Sequence, residues 1–141
     1  MNSHSKIIID SNFYLALNNP QDSLHHRAVS LTDIVEDCQA MISFYIFSEI
    51  ITVSSQKIGK QAAINLGLSL LNDPLVEIIS IDQPIFFETW QIFTKLKPKN
   101  LSFIDCNILA MMRHHKIKKL LSFDRTDFAP LQEQFGFRLV I

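Results

Sequence analysis

Four carboxylates stand where they could do chemistry. Asp10 follows the apolar run Ile7-Ile8-Ile9, and Asp124 follows Leu120-Leu121-Ser122-Phe123. Glu49 interrupts the stripe Ile46, Ile50, Val53 in a helical pattern over 44–53, and Asp105 shares a stripe with Ile108, Leu109 and Met112. An Asp just past a strand makes a good helix N-cap, so Asp10 and Asp124 each admit a structural role beside a catalytic one. Ser102 and Asp105 are spaced as N-cap and N3 of a capping-box-like turn, although Glu is the usual N3 partner. Glu49 is harder to place structurally, because a buried unpaired charge is costly and something cationic is expected to face it. Yet no Lys or Arg lies within four positions of Glu49 or Asp105. Acids that meet without a basic partner raise one another's pKa unless a divalent cation neutralises them. Oxygen donors without His or Cys select a hard ion, Mg2+ or Mn2+, which keeps waters and adds substrate phosphate oxygens. That is equipment for metal-assisted hydrolysis of a phosphodiester.

Convergence of these acids depends on the elements that carry them. Apolar runs at 6–9, 40–43, 75–81, 119–122 and 137–141 lack polar alternation and predict strands buried on both faces. Between them lie stripes of period 3.6: Leu24, Ala28, Leu31, Val35, Cys38, then Ile58, Ala62, Leu66, Leu70. Further stripes are Phe86, Trp90, Phe93, Leu96, and Ile104, Ile108, Met111. Strands alternating with helices predict an α/β fold with a parallel sheet covered on both sides. Asp82-Gln83-Pro84 starts one helix, with Pro near its first turn. In an open parallel sheet, ligands bind beyond the carboxyl ends of the strands, which is where Asp10 and Asp124 fall.

The chain has 141 residues, 48% of them hydrophobic, with 13 Lys+Arg against 14 Asp+Glu and two Cys. These numbers predict a single globular domain over 1–141 whose core needs no disulfide. Disorder and a polybasic nucleic-acid tail are excluded. At a net charge of −1, attraction to phosphates must come from a local basic patch or a bound cation. The segment 1–13 has too short an apolar run for a signal peptide, and no run reaches the roughly 18 apolar residues of a membrane span. A soluble cytoplasmic protein without a membrane partner is the expectation.

The motifs IIIDSN, an S-x-x-E pattern around Ile46-Phe47-Ser48-Glu49, L-S-x-x-D at 101–105 and a late LLSFD together resemble the PIN-domain ribonucleases. The short bacterial members of that family are VapC-like toxins, and DSNFYLALNNPQDSLHHRAV is similar to their first helical hairpin. The resemblance spans essentially the whole chain. It implies a three-layer α/β/α fold with a sheet of about five parallel strands in the order 3-2-1-4-5. By the same resemblance the chain is a Mg2+- or Mn2+-dependent endoribonuclease, and Asp10, Glu49, Asp105 and Asp124 are its metal ligands or water activators. Ser102 is expected to position water or phosphate, and Asn12 to support the acids. The run Asp124-Arg125-Thr126-Asp127-Phe128 departs from the usual spacing; Asp124 is favoured as the acid facing the metal, with Asp127 the alternative. A cognate antitoxin and a homodimer are the implied protein partners.

Lys95, Lys97 and Lys99 precede Ser102, and Arg125 lies near the cleft; Lys97, Lys99 and Arg125 are the candidate RNA contacts. His115 is ten residues beyond Asp105, about 15 Å along one helix, so the two cannot share an ion. The histidine pairs are expected on the surface or in packing, and Cys38 and Cys106 as small buried residues. The eleven Phe and Trp90 mostly follow helical stripes and are expected in the core, with Phe13 and Tyr14 the aromatics that have an alternative place at the cleft. Two other functions compete. A PIN-like module that binds RNA or protein without cutting need not keep Glu49. A phosphatase with Asp10 as nucleophile needs a second Asp where Asn12 stands.

Overall fold

The computed structural model describes residues 4–97 and 101–141. Five strands, β1 (Ser5–Ile9), β2 (Cys38–Ser43), β3 (Val76–Ile79), β4 (Lys119–Leu121) and β5 (Arg138–Val140), form one sheet in the order β3-β2-β1-β4-β5. All pairings are parallel; Ile8 of β1 lies opposite Met41 of β2 and Leu120 of β4. Ile7, Ile8 and Ile9 are completely buried, as an unbroken apolar run in a sheet covered on both faces requires. The chain moves outward from β1 through β2 to β3, then returns to the other side of β1 for β4. Connections leaving β1 and β4 therefore diverge and open a crevice at their carboxyl ends.

The helices are α1 (Ser11–Leu17), α2 (His25–Ser30), α3 (Thr32–Glu36), α4 (Phe44–Lys57), α5 (Lys60–Asn72), α6 (Gln83–Lys95), α7 (Phe103–His115), α8 (Arg125–Phe128) and α9 (Gln132–Phe135). A 3-10 turn, Ala129–Leu131, joins the last two. Several helices start on a polar cap close to a strand end: Ser43 accepts from Ile46 N at 3.2 Å, and Asp82 from Ile85 N at 3.0 Å. Helix α7 is buried continuously from Asp105 to Met112, which makes it the helical centre of the core. None of the helices among the described residues is long and apolar enough to cross a membrane.

Three predicted stripes differ from the structure. The first breaks at Leu31, and Cys38 belongs to β2. There Ser30 Oγ donates to Arg27 O at 2.7 Å and Thr32 Oγ1 to Val29 O at 2.8 Å, so hydroxyls satisfy carbonyls at the helix end. The second stripe is cut by Gly59, whose φ of 125° lies in a region that glycine enters without a Cβ penalty. Helix α5 then buries Ala63, Leu66, Gly67 and Leu70, leaving Ala62 half-buried.

The third difference is the largest. Phe86, Trp90 and Phe93 are exposed, Trp90 by 52%, and so are Phe44 and Phe87. The buried face of α6 is instead Ile85, Thr89 and Ile92. A helix rotated by one position hides Thr89 because its hydroxyl donates to Ile85 O at 2.7 Å and accepts from Asn107 Nδ2 at 3.3 Å. Phe13 and Tyr14, by contrast, are buried in the core.

Candidate active site

Asp10 caps α1, accepting from Ser11 N at 2.8 Å, and its own N–H donates to Leu121 O at 2.9 Å. The cap role occupies Oδ1. The second oxygen, Oδ2, accepts from Ser122 Oγ at 2.7 Å and from Asn12 Nδ2 at 3.4 Å. Asn12 Nδ2 also donates to Ser122 Oγ at 3.3 Å, and Asn12 Oδ1 accepts from Phe123 N at 3.1 Å. Ser122, fully buried, accepts in addition from Asp124 N at 3.1 Å. One serine thus ties the end of β1 to the turn after β4.

Asp105 is held by a complete capping box. Its N–H donates to Ser102 Oγ at 3.1 Å, and its Oδ2 accepts from Ser102 N at 3.0 Å. Aspartate fills the place that Glu usually takes, and doing so draws its carboxylate close to the helix start. Asp124 sits in the N-cap position of α8 without making a side-chain cap hydrogen bond, so its carboxylate is not engaged as the cap reading expected. Asp105, Asp124 and Asp127 each offer one carboxylate oxygen, and these atoms lie within 4.8 Å of one another. Asp124 and Asp127 therefore both approach Asp105.

Glu49 lies one turn after Tyr45 on α4, half-buried between Ile46 and Ile50. No cation among the described residues makes an ion pair with it. Its partner is the Ser11 hydroxyl, which donates to Glu49 Oε1; the ion pair found among the described residues is Arg113–Glu88, at 3.9 Å. Lys97 and Arg125 are exposed, and Lys99 lies outside the described residues.

The electrostatics reflect this crowding. Burial pushes the Asp10 carboxyl from 3.8 up to about 7; the Ser122 hydrogen bond opposes the rise, and the charges of Asp105 and Glu49 add to it. Asp105 is raised by burial against its bonds from Ser102, with Asp124 and Asp127 contributing repulsion. Asp124 is raised by burial and by Asp127. Burial, with Asp105 beside it, pushes the Cys106 thiol up to about 11, so it remains a protonated packing group. His25 Nδ1 is bound to Ala16 O at 2.9 Å, a structural role. A set of carboxylate oxygens with no imidazole, thiolate or cation among them fits a hard divalent ion.

Sequence reasoning placed the acids but missed Ser11 and Ser122, which orient Glu49 and Asp10. A serine inside an apolar strand end, as in LLSFD, is the available signal for Ser122, since a buried hydroxyl needs partners.

A family model described as PIN domain matches residues 7–132. The 23S rRNA-specific endonuclease VapC20 of Mycobacterium tuberculosis is 25% identical over 118 residues, covering 84% of this chain and 88% of that protein. The crystal structure of VapC20, described as a sarcin-ricin loop cleaving toxin, superposes with a TM-score of 0.79 at 23% identity, over 88% of this chain and 93% of that one. FitAcB from Neisseria gonorrhoeae gives a TM-score of 0.68 at 20% identity, and a toxin-antitoxin complex from Klebsiella pneumoniae 0.65 at 20%; each covers 96% of both chains.

Proposed function

This chain belongs to the PIN-domain family, and from that premise we propose that it is a divalent-metal-dependent endoribonuclease acting as the toxin of a toxin–antitoxin pair. The observation that carries the reading is the meeting of Asp105, Asp124 and Asp127 within 4.8 Å, beside Asp10 and Glu49, with hydroxyl and amide partners in place of cations. Acids pressed together at a cost in ionisation free energy are what a cation site requires. Mg2+ or Mn2+ bound there supplies positive charge against the phosphate and acidifies attacking water.

The chain's own residues have separable tasks. Asp105, Asp124, Asp127 and Asp10 would hold the ion, with Asp124 favoured over Asp127 as the ligand from the turn after β4. Glu49, oriented by the Ser11 hydroxyl, would accept the proton of the attacking water. Ser102 orients Asp105, and Asn12 and Ser122 orient Asp10. Lys97, Lys99 and Arg125 contact the RNA backbone. RNA as substrate and two free thiols, Cys38 and Cys106, support a reducing, cytoplasmic setting.

An antitoxin partner is supported by the toxin–antitoxin assemblies among the structural neighbours. A homodimer is supported by the exposed aromatic side of α6, where Phe86, Trp90 and Phe93 face solvent. The named target of VapC20 makes 23S rRNA the first RNA to offer. The test is cleavage of total RNA by purified protein with Mg2+, with Mn2+ and with EDTA, beside Asp10→Asn and Asp105→Asn. Cutting that needs metal and falls at least 100-fold in both variants is the expected result. Retained cutting in either folded variant contradicts the site, and absence of cutting by the free wild type moves the assignment to a binding module.

A further inference from the structure

Helices α6, α7 and α9 border an open groove of about 510 Å³ whose lining includes Lys95, Arg113, Gln91 and Gln134, with Glu88 as its acid. We infer that this groove holds the phosphodiester backbone of the RNA on one side of the cut, with Arg113 as the anchoring contact. This rests on the nuclease reading above and adds to it a second stretch of substrate contact, away from the acids.

The fold leads from the acids into the groove. Helices α6 and α7 run antiparallel: Asn107 bonds Thr89 at 3.3 Å, and Arg113, further along α7, reaches back to Glu88 at 3.9 Å. Lys95, at the end of α6, is therefore level with the start of α7, where Asp105 stands. The opposite wall continues the segment that carries Asp124 and Asp127, since α8 passes through the 3-10 turn into α9, which supplies Gln134 and Phe135. Arg113 is about 12 Å beyond Asp105 along α7, a span that one strand covers in about three or four nucleotides at a stacked rise of about 3.4 Å.

The lining suits phosphate. The Arg113 guanidinium sits 4.3 Å over the Phe135 ring, a stack that fixes its plane. Its contact with Glu88 at 3.9 Å is longer than a hydrogen bond, so the fork of donors that matches a phosphate is not spent on that acid. Lys95 makes no ion pair among the described residues, and the amides of Gln91 and Gln134 add neutral donors. At a net charge of −1, hold on a polyanion has to come from such local cations. A second copy seated on the aromatic stripe does not compete for the groove. At 3.6 residues per turn, Gln91 and Lys95 stand roughly 150° around α6 from Phe86, Trp90 and Phe93. An acidic protein segment would meet the same cations, but RNA is the ligand that has to run on from the acids.

The test uses two RNAs with the same cut, a short one ending about two nucleotides either side of it and a long one extending about six further each way. For wild type, the long RNA is expected to have a KM about tenfold lower, with log KM depending more steeply on log salt by about 0.7 per added phosphate contact. Arg113→Ala should raise KM for the long RNA about tenfold and flatten that slope by one such step. Lys95→Ala should act likewise, and Arg113→Lys should recover part of the loss; the short RNA should show neither change. Glu88→Gln, which leaves the stack on Phe135 in place, should lower KM for the long RNA because it removes the groove's acid. If Arg113→Ala fails to fold, the Lys95 and Glu88 variants carry the test. Equal KM for the two RNAs, or variants that affect both alike, overturn the groove while leaving the nuclease intact. Weakened antitoxin binding in the Arg113 and Lys95 variants, with KM for the long RNA unchanged, also overturns it and assigns the cations to an acidic protein segment. A wild type that cuts no RNA overturns the nuclease reading and this one together.

Discussion

At the scale of single residues, the site is a set of acids kept in an uncomfortable ionisation state. Burial pushes the Asp10 carboxyl up from 3.8 to about 7, so the metal-free folded chain binds its proton more tightly than the unfolded chain does. Stability from this group is therefore fullest below about pH 4 and is lost as pH rises to about 7, by roughly 4 kcal/mol. Asp105 and Asp124 are raised too and add in the same direction. In EDTA, the melting temperature should fall across that window, and Asp10→Asn should melt above wild type at pH 8. A melting temperature for Asp10→Asn well below wild type would mean that capping of α1 outweighs repulsion. Asp10 and Asp124 were legible from their position after apolar runs, and Glu49 and Asp105 as acids on apolar helical stripes. Their orienting hydroxyls were not, because Ser11 and Ser122 carry no charge and break no pattern strongly enough to mark them.

At the scale of elements, the start of α7 does two jobs with one motif. Ser102 caps the helix, and the reciprocal bond from its N–H fixes one Asp105 oxygen. Ser102→Ala removes a cap worth about 1 kcal/mol; thermal denaturation should show that loss, and cleavage should fall by more than the fraction unfolded. Ser102→Thr should restore both. Equal restoration of stability without activity would separate Ser102's cap from its place in the site. Strands were legible nearly to the residue, since a buried parallel strand writes itself as an apolar run: 119–122 was expected and Lys119–Leu121 is found. Helix phase was less legible. Hydropathy ranks Phe86 and Trp90 above Thr89, but it cannot see that the Thr89 hydroxyl is satisfied by Ile85 O and Asn107, which lets the rotated helix bury it.

At the scale of the whole molecule, the sheet order explains why residues as distant in sequence as Asp10 and Asp124 meet. Reversal of the winding direction at β1 leaves the ends of β1 and β4 adjacent and uncovered by their own connections. The aromatic side of α6 is the complementary feature, an apolar face that the fold does not cover. Trp90→Glu should shift a dimer toward monomer in light scattering without lowering the melting temperature of the monomer; an unchanged mass would place the dimer contact elsewhere.

Calorimetric titration of the metal-free chain with Mn2+ decides whether the proposed cation site of Asp10, Asp105, Asp124 and Asp127 exists. Saturable binding to wild type, weakened at least tenfold in Asp105→Asn and in Asp124→Asn, is the predicted result. No saturable binding, or binding untouched by both substitutions, would contradict it.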